Sequence, residues 1–225
     1  SNGITVQEAI ETAIKELIGE TVTINGCSRT DAGVHAREYC FNFFTKSTIP
    51  CDGFVKGINA FLPTDIAVHS CAEVDDNFHA RFDTKSKEYI YRISTLPIRD
   101  VFSESLMLHH PYPLDAEKMD KTAQLFVGRH DFAAFCTAES KTPLKSTVRE
   151  ISSARVSRFG DVVEFCVSGG GFLHNMVRIL AGTLVYHSDG KLSDDDIISA
   201  FSHGDRTKTG KTLPPQGLYL NKVNY

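Results

Sequence analysis

The segment SRTDAGVHA, residues 28–36, places a charged turn between two apolar runs. The run TVTIN precedes it at 21–25, and the run EYCFNFF follows it at 38–44. The β-branched and aromatic residues in these runs favour strands. Because Asp and Gly are common turn residues, we predict a loop at 30–33 between one strand at 21–25 and another at 37–45.

Asp31, inside this loop, has two interpretations. In the structural one, its side chain only bonds the backbone of its own turn. In the functional one, a nearby cation such as Arg29 keeps the carboxyl ionised. A positioned, ionised carboxylate can act as a nucleophile or a base, and loops between strands often carry functional residues. The loop sequence by itself leaves both interpretations open.

The rest of the chain alternates between helical and strand-like patterns. Apolar residues at helical spacing predict helices, and two-residue alternation predicts strands. The predicted helices span 5–17, 52–61, 115–127 and 172–187, with a further helix capped by Ser193, and the further strands span 66–74, 87–95, 148–158, 162–168 and 218–223. This order predicts an α+β fold with antiparallel sheets in two comparable halves, 1–100 and 101–225.

The formal net charge of −4 is unusual for a protein that binds nucleic acid. The charges are unevenly distributed, however. Basic residues outnumber acidic ones five to three at 81–100, six to three at 126–160 and four to one at 204–225. A basic face on an acidic protein and a solvated surface of mixed charge both fit this pattern.

Cysteine spacing and hydropathy predict the cellular setting. The six cysteines include no CxxC pair, so we expect reduced thiols in a cytoplasmic protein. No apolar run approaches the roughly 18 residues that a membrane span needs, so we expect no membrane partner.

The segment FHARFDTKSKEYIYRI, residues 78–93, interleaves basic and aromatic side chains. Such a segment suits a nucleic acid, because cations meet phosphates and rings stack on unpaired bases. The alternative is an amphipathic strand with its rings in the core. Tyr89 and Tyr91 share one face if the segment is a strand, so one ring can lie in the core while the other lines a cleft.

The segment GGGFLHNMVRILAGTL, residues 169–184, is a glycine-rich entry to an apolar helix. Arg178 stands among the apolar residues of that helix. An arginine in such a place either extends to the surface or, if buried, needs an anion. Asp31 is the candidate anion. The glycines lack the GxxxxGK[ST] pattern of a nucleotide-binding loop.

A metal-dependent hydrolase is a further alternative. Asp31, His35, His79 and His130 carry suitable ligand atoms, but their spacing matches no compact ligand motif such as HExxH. The histidines are more readily explained as hydrogen-bonding partners near their own strands.

Five blocks of the sequence together resemble one family. RTDAGVHA at 29–36 resembles the signature of TruA-type tRNA pseudouridine synthases. The further blocks follow in the order of that family and are FHARFDTKSKEYIYRI at 78–93, GRHDFAAFC at 128–136 with STVREI at 146–151, FLHNMVRILAGTL at 172–184 and PPQGLYLNKVNY at 214–225. The resemblance spans essentially the whole chain.

The resemblance implies an activity and an architecture. The activity is isomerisation of uridine to pseudouridine at positions 38 to 40 in the anticodon stem-loop of tRNA, with no cofactor and no metal. The architecture is two ferredoxin-like halves that form a central RNA-binding cleft, in a homodimer. A non-catalytic RNA-binding protein on the same scaffold is the alternative, although RNA binding alone needs no carboxylate at position 31.

The resemblance also implies roles for five residues. Asp31 would be the catalytic carboxylate, and Arg178 would pair with it. Tyr89 would stack on the flipped uracil and relay a proton from C5. Arg29 would help to open the stem, and Leu218 would supply an apolar wall of the pocket.

Three departures from the family pattern stand out. Ser28 occupies a position that is usually Gly, and Asn175 occupies one where His or Tyr-His pairings are common. Family members normally begin with a strand of the form YDGTxFxGWQxQ before the first helix. Here the helix is predicted to begin at Thr5, so the sequence predicts that this strand is missing.

Overall fold

The computed structural model describes residues 3–137 and 146–225 of the chain. Backbone contacts divide the chain into two compact units. The first unit comprises Ser1–Arg29 and Tyr39–Asp83, and the second comprises Thr30–Glu38 and Thr84–Tyr225. The loop that carries Asp31 therefore belongs to the second unit, although it lies in sequence between two parts of the first.

The described residues form an α+β structure, as predicted. The helices are α1 (Val6–Ile18), α2 (Cys51–Phe61), α3 (Ala116–Ala123), α4 (Met176–Ser188) and α5 (Asp194–His203). The strands are β1 (Asn25–Gly26), β2 (His35–Ala36), β3 (Phe41–Asn42), β4 (Ser86–Ser94), β5 (Leu108–His109), β6 (Gly128–Asp131), β7 (Val148–Phe159), β8 (Val162–Gly169) and β9 (Leu218–Asn224). Short 3-10 turns lie at Gln124–Phe126, Ala133–Phe135, Arg206–Lys208 and Pro215–Gly217.

The first unit packs α1 against α2 and carries the short antiparallel pair β1–β3. Thr5 caps α1, because its hydroxyl accepts a hydrogen bond from the Glu8 amide at 3.1 Å. Gly19 ends the helix in the left-handed conformation, with a φ of 74°. The buried core of this unit consists of Ile10, Ala13, Ile14, Val22, Ile24, Phe54 and Ile58.

The second unit is built on one mixed sheet. Within the described residues it has seven strands in the order β2-β9-β4-β8-β7-β6, with β5 pairing to the end of β4. Most neighbours are antiparallel, but β2 pairs with β9 and β5 with β4 in parallel, which the expectation of antiparallel sheets did not include. The central strand β4 is hydrogen-bonded on both sides, to β8 and β9.

The helices of the second unit contact this sheet and one another. α3 packs on β7, and α4 contacts both β4 and α3. α5 begins with a reciprocal capping box between Ser193 and Asp196. Five phenylalanine rings form a buried or half-buried cluster with edge-on and tilted contacts, namely Phe126, Phe132, Phe135, Phe165 and Phe201. Across residues 3–137 and 146–225, no helix has the length and hydropathy that crossing a bilayer requires.

Several predicted boundaries were wrong. The predicted strands at 21–25 and 37–45 pair only at Asn25–Gly26 and Phe41–Asn42 within the first unit, and 66–74 contains no strand. Alternation still reports burial correctly at Val22 and Ile24, but a strand also needs a hydrogen-bonded neighbour.

The apolar helix begins at Met176 and not at Phe172, because Asn175 takes the left-handed conformation with a φ of 61°. The predicted division into two comparable halves, 1–100 and 101–225, stays a prediction. The two units above are defined by backbone contacts, and such units need not coincide with structurally similar halves.

Candidate active site

The loop that carries Asp31 is a tight turn held against the start of β9. The Val34 amide donates to the Asp31 carbonyl at 3.1 Å, and Gly33 has a φ of 81°, which a residue with a side chain rarely adopts. A Cβ on Gly33 would lie 3.0 Å from Cγ of Pro215. The turn leads into β2, which pairs with β9, so the sheet fixes where the loop ends.

Arg178 on α4 reaches the carboxylate in this loop. Its Nη1 donates to Oδ2 of Asp31 at 2.9 Å. The arginine side chain is 15% exposed and the aspartate side chain 34% exposed. The guanidinium is thus mostly withdrawn from water, and its anion remains open on one side. Charge-assisted contacts of this kind are short and hold the carboxylate in a defined position.

The backbone segment 210–213, which precedes β9 and is called the strap here, holds Arg178 from a second direction. Nε of Arg178 donates to the Leu213 carbonyl at 2.7 Å, and the Leu213 amide donates to the Arg178 carbonyl at 3.3 Å. Two glycines let this strap lie directly on α4. A Cβ on Gly182 would overlap the Lys211 carbonyl, and a Cβ on Gly210 would overlap the Gly182 backbone. Arg178 is therefore positioned by both its helix and the strap.

His174 and Thr137 are two further polar residues at the carboxylate that the sequence alone did not single out. Nε2 of His174 lies 3.4 Å from Oδ1 of Asp31, and its Nδ1 lies 3.0 Å from Oγ1 of Thr137. Thr137 is remote in sequence from both, and His174 stands in an apolar segment. Its position four residues before Arg178 gave no signal either, because His174 precedes the start of α4 at Met176.

Asn175 completes these contacts. Its Oδ1 accepts from Nη1 of Arg178 at 2.7 Å, and its Nδ2 donates to Oγ1 of Thr137 at 2.7 Å. The left-handed backbone of Asn175 occurs just before the helix begins. Asn is among the few residues that tolerate this conformation.

The two tyrosines of β4 have different surroundings. Tyr91 is fully buried and donates from its hydroxyl to the Pro214 carbonyl at 2.7 Å. Burial raises the pKa of Tyr91 far above its ordinary value, and the nearby Arg178 offsets this only partly. Tyr91 therefore stays protonated as a donor. Tyr89 packs its ring edge-on against Phe172, with centroids 5.1 Å apart.

Leu218 begins β9 and stands opposite Tyr91 in the β4–β9 register. Leu218 and Tyr89 are each 7% exposed. Both are therefore buried in this conformation, and neither lines an open cleft. Arg29 belongs to the first unit, and its predicted role stays a prediction.

The residues of the metal alternative have other partners. Nε2 of His35 lies 2.9 Å from the Ser105 carbonyl, and the His35 ring stacks on Tyr219. Nε2 of His130 lies 2.9 Å from the Val127 carbonyl. Among residues 3–137 and 146–225, no group of three or more His, Cys, Asp or Glu is arranged to hold a metal ion.

Comparison with known families identifies the chain. The model of a family described as tRNA pseudouridine synthase matches residues 1–83 and 122–225, which is well over half of the sequence. The chain belongs to the tRNA pseudouridine synthase family.

Individual proteins named tRNA pseudouridine synthase A align with nearly the whole chain. A protein named tRNA pseudouridine synthase A from Geobacillus sp. is 44% identical over 222 residues, covering 98% of this chain and 89% of the relative. The protein of that name from Ruminiclostridium cellulolyticum is 44% identical over 225 residues, covering 100% of this chain and 91% of the relative. The one from Thermoanaerobacter sp. is 41% identical with the same coverage.

Proposed function

We propose that this pseudouridine synthase isomerises uridine to pseudouridine at positions 38 to 40 in the anticodon stem-loop of tRNA, with Asp31 as its catalytic carboxylate. The observation that carries the proposal is the ion pair of Asp31 and Arg178 at 2.9 Å, in which the carboxylate keeps 34% of its side chain exposed. Such a carboxylate is paired with a cation, oriented and open to a substrate, which suits a nucleophile or base.

The reaction balances without a second substrate. The N1–C1′ glycosidic bond breaks, the uracil turns over, and C5 bonds to C1′. The C5 proton leaves and N1 gains a proton, so no oxidant or reductant is needed. Asp31 would begin the reaction either by attacking the sugar or base, or by taking a proton from the sugar, and Arg178 would keep it ionised until then.

The uridine must first leave the stacked stem. Tyr89 would stack on the uracil and relay a proton from C5, Leu218 would form an apolar wall, and Arg29 would occupy the space that the base leaves. Because Phe172 already packs edge-on against Tyr89, we expect the uracil to replace part of that contact.

The larger architecture in this proposal follows the family resemblance. Two ferredoxin-like halves would form a central RNA-binding cleft, and two chains would act as a homodimer on tRNA in the cytoplasm. Basic residues at 81–100, 126–160 and 204–225 would contact phosphates, which position RNA without reading its sequence. Lys141 and Lys145 of the second stretch lie outside the described residues.

The test is release of tritium from tRNA labelled at C5 of uridine. The wild-type chain should release tritium from a transcript with uridines at positions 38 to 40, and should release none when these are replaced by cytidine. Asp31→Asn preserves shape but removes the charge, so release should fall by about 10³-fold or more while tRNA binding persists. Asp195→Asn is the matched control, because Asp195 is exposed on α5.

Release by Asp31→Asn at the wild-type rate would contradict the assignment of the carboxylate. Binding of tRNA without release by any version would instead favour the non-catalytic RNA-binding protein.

A further inference from the structure

Asp31 and four other side chains form a closed ring of polar contacts. Arg178 contacts Asp31 and Asn175 through the same nitrogen, Asn175 contacts Thr137, Thr137 contacts His174, and His174 returns to Asp31. All five belong to the second unit. The ring of contacts reaches both oxygens of the carboxylate, since Arg178 lies 2.9 Å from Oδ2 and His174 lies 3.4 Å from Oδ1, and it leaves the carboxylate 34% exposed.

The direction of the hydrogen bonds follows from Arg178. A guanidinium has donors and no acceptor, so the Asn175 atom that it contacts must be the amide oxygen. The Asn175 nitrogen then faces Thr137 and donates to its hydroxyl oxygen at 2.7 Å. The hydroxyl proton of Thr137 is consequently available for another acceptor, and Nδ1 of His174 lies 3.0 Å away.

The opposite nitrogen of the imidazole faces negative charge. Nε2 of His174 is 3.4 Å from Oδ1 of Asp31. Without a proton, Nε2 would set its lone pair against those of the carboxylate, whereas a proton on Nε2 makes the contact attractive. A hydroxyl that donates to Nδ1 leaves the neutral imidazole its single proton on Nε2. The contacts at the two nitrogens of His174 therefore favour the same tautomer.

We propose that His174 is a positioning residue for Asp31, held by Thr137 and Asn175 with its proton on Nε2. The proposal rests on the proposed function, and adds a second donor to the carboxylate besides Arg178. A single donor would leave the carboxylate free to rotate about it. Two donors on two oxygens fix the plane of the group before the uridine arrives, which is how a site reduces the cost of orienting a reacting group.

The first experiment separates positioning from folding by kinetics. In tritium release, His174→Ala should lower kcat by about 10–100-fold, because misplacing a reacting group by about an ångström has effects of that size. The KM for tRNA should stay within about two-fold, since the ring orients the carboxylate and does not hold the RNA. His203→Ala is the control, because His203 is an exposed histidine of α5 that contacts Ser199.

Two conservative variants distinguish the two nitrogens. The amide nitrogen of Gln reproduces the place of Nε2, whereas that of Asn reproduces the place of Nδ1. His174→Gln should therefore recover most of kcat, and His174→Asn should resemble His174→Ala. Equal kcat values for Gln and Asn, or a full kcat in His174→Ala with correct folding, would overturn the proposal.

The second experiment reads the tautomer directly and needs no activity. The wild-type chain with ¹⁵N-labelled histidine is studied by NMR at pH 8, above the ordinary imidazole pKa of about 6.5. The signals lost in His174→Gln identify this ring, and they should show a protonated Nε2 and a bare Nδ1. Thr137→Val removes the hydroxyl and should shift the ring away from this tautomer, while Thr137→Ser should keep it.

The two experiments fail in different ways. If the wild-type chain releases no tritium, the proposed function is wrong, yet the spectrum still tests the direction of the ring. A proton on Nδ1 in an active wild-type chain would overturn the positioning role of His174 and leave the proposed function intact.

Discussion

Helix α4 has a threonine, a histidine and an aspartate at each of its ends. Just before the helix starts, Thr137 lies 3.0 Å from Nδ1 of His174, and Asp31 lies 3.4 Å from Nε2. Here the histidine side chain is 38% exposed and the aspartate 34% exposed, and the aspartate has Arg178 as a second partner.

In the last turn of α4, Thr122 lies 3.1 Å from Nδ1 of His187, and Asp194 lies 3.0 Å from Nε2. The exposures are divided differently, since the His187 side chain is only 7% exposed and that of Asp194 is 60% exposed. Lys118 donates to the backbone carbonyl of His187 at 3.0 Å, so these contacts join α3, α4 and α5.

The proposed function assigns reactivity to only one of these two arrangements, although both contain the same three residue types. At the end of the helix the histidine is the buried member, and its exposed aspartate also accepts a hydrogen bond from the Thr122 hydroxyl at 3.3 Å. At the start, a mostly buried arginine restrains the aspartate and leaves it partly open. We therefore expect reactivity to depend on an aspartate that is both restrained by a cation and accessible, and not on the residue types alone.

Among the variants that test the difference between the two ends of α4, Arg178→Lys should have the largest effect on activity. Arg178 makes three side-chain hydrogen bonds in fixed directions, to Asp31, Asn175 and the Leu213 carbonyl. A lysine ammonium cannot reproduce this planar geometry, so we expect tritium release to fall by about 10²–10³-fold.

The control is Arg158→Lys, because Arg158 also bonds several backbone and hydroxyl oxygens in the second unit. It should lower thermal stability, and it should leave kcat unchanged because lysine keeps the positive charge that a phosphate contact needs. Full activity in Arg178→Lys would show that charge alone distinguishes the two ends of α4.

His187→Gln tests the structural end. Removing a buried group from hydrogen-bonded partners should lower the free energy of unfolding by about 1–3 kcal/mol, measured by urea titration. Its kcat should match that of the wild-type chain. A fall in kcat without a fall in stability would mean that the two ends of the helix are not functionally distinct.

Asn175 sharpens the comparison at the backbone level. Asn175→Gly and Asn175→Ala both remove the contacts to Arg178 and Thr137, but only alanine keeps a Cβ in the left-handed conformation. Asn175→Ala should therefore be about 1 kcal/mol less stable than Asn175→Gly in urea titration. Equal stability would indicate that the turn before α4 readily changes its conformation.

The smallest expected effect is a dependence of stability on pH. Burial lowers the pKa of His187 and also that of His110, below the ordinary value of 6.5. Nearby Asp194 and Asp189 partly offset this, while Lys118, Lys191 and Lys211 add to it.

Because these pKa values are lower in the folded state, the unfolded chain takes up protons first as the pH falls. The stabilising contribution is complete above pH 6.5 and declines below it until the folded histidines are also protonated. The free energy of unfolding should thus decrease as the pH is lowered through 6.5, and His187→Gln should reduce this dependence. An unchanged dependence in that variant would exclude His187 as a source.

The sequence predicted those features that depend on neighbours along the chain. Thr5 and Ser193 cap helices as expected, and the hairpin of β7 and β8 lies within a residue or so of its predicted strands. The strand predicted at 21–25 is confirmed only at Asn25, and the one at 66–74 was wrong, because apolar alternation reports burial and not the presence of a hydrogen-bonded neighbour.

For the candidate site, the need of a buried cation for an anion linked Arg178 to Asp31, which are 147 positions apart. That reasoning had no equivalent for His174. A histidine beside apolar residues has no obligatory partner, and the contact to Thr137 spans 37 positions. Its place in the site depends on the folded geometry alone.

The close contact of Gly182 with Gly210 and Lys211 has a consequence for how the sequence can vary. Any side chain at either glycine would push the strap away from α4, and with it the Leu213 carbonyl that Arg178 uses. In a mutational scan scored by activity, both positions should reject even alanine. Two residues that offer no functional group would then be as intolerant of change as the carboxylate itself.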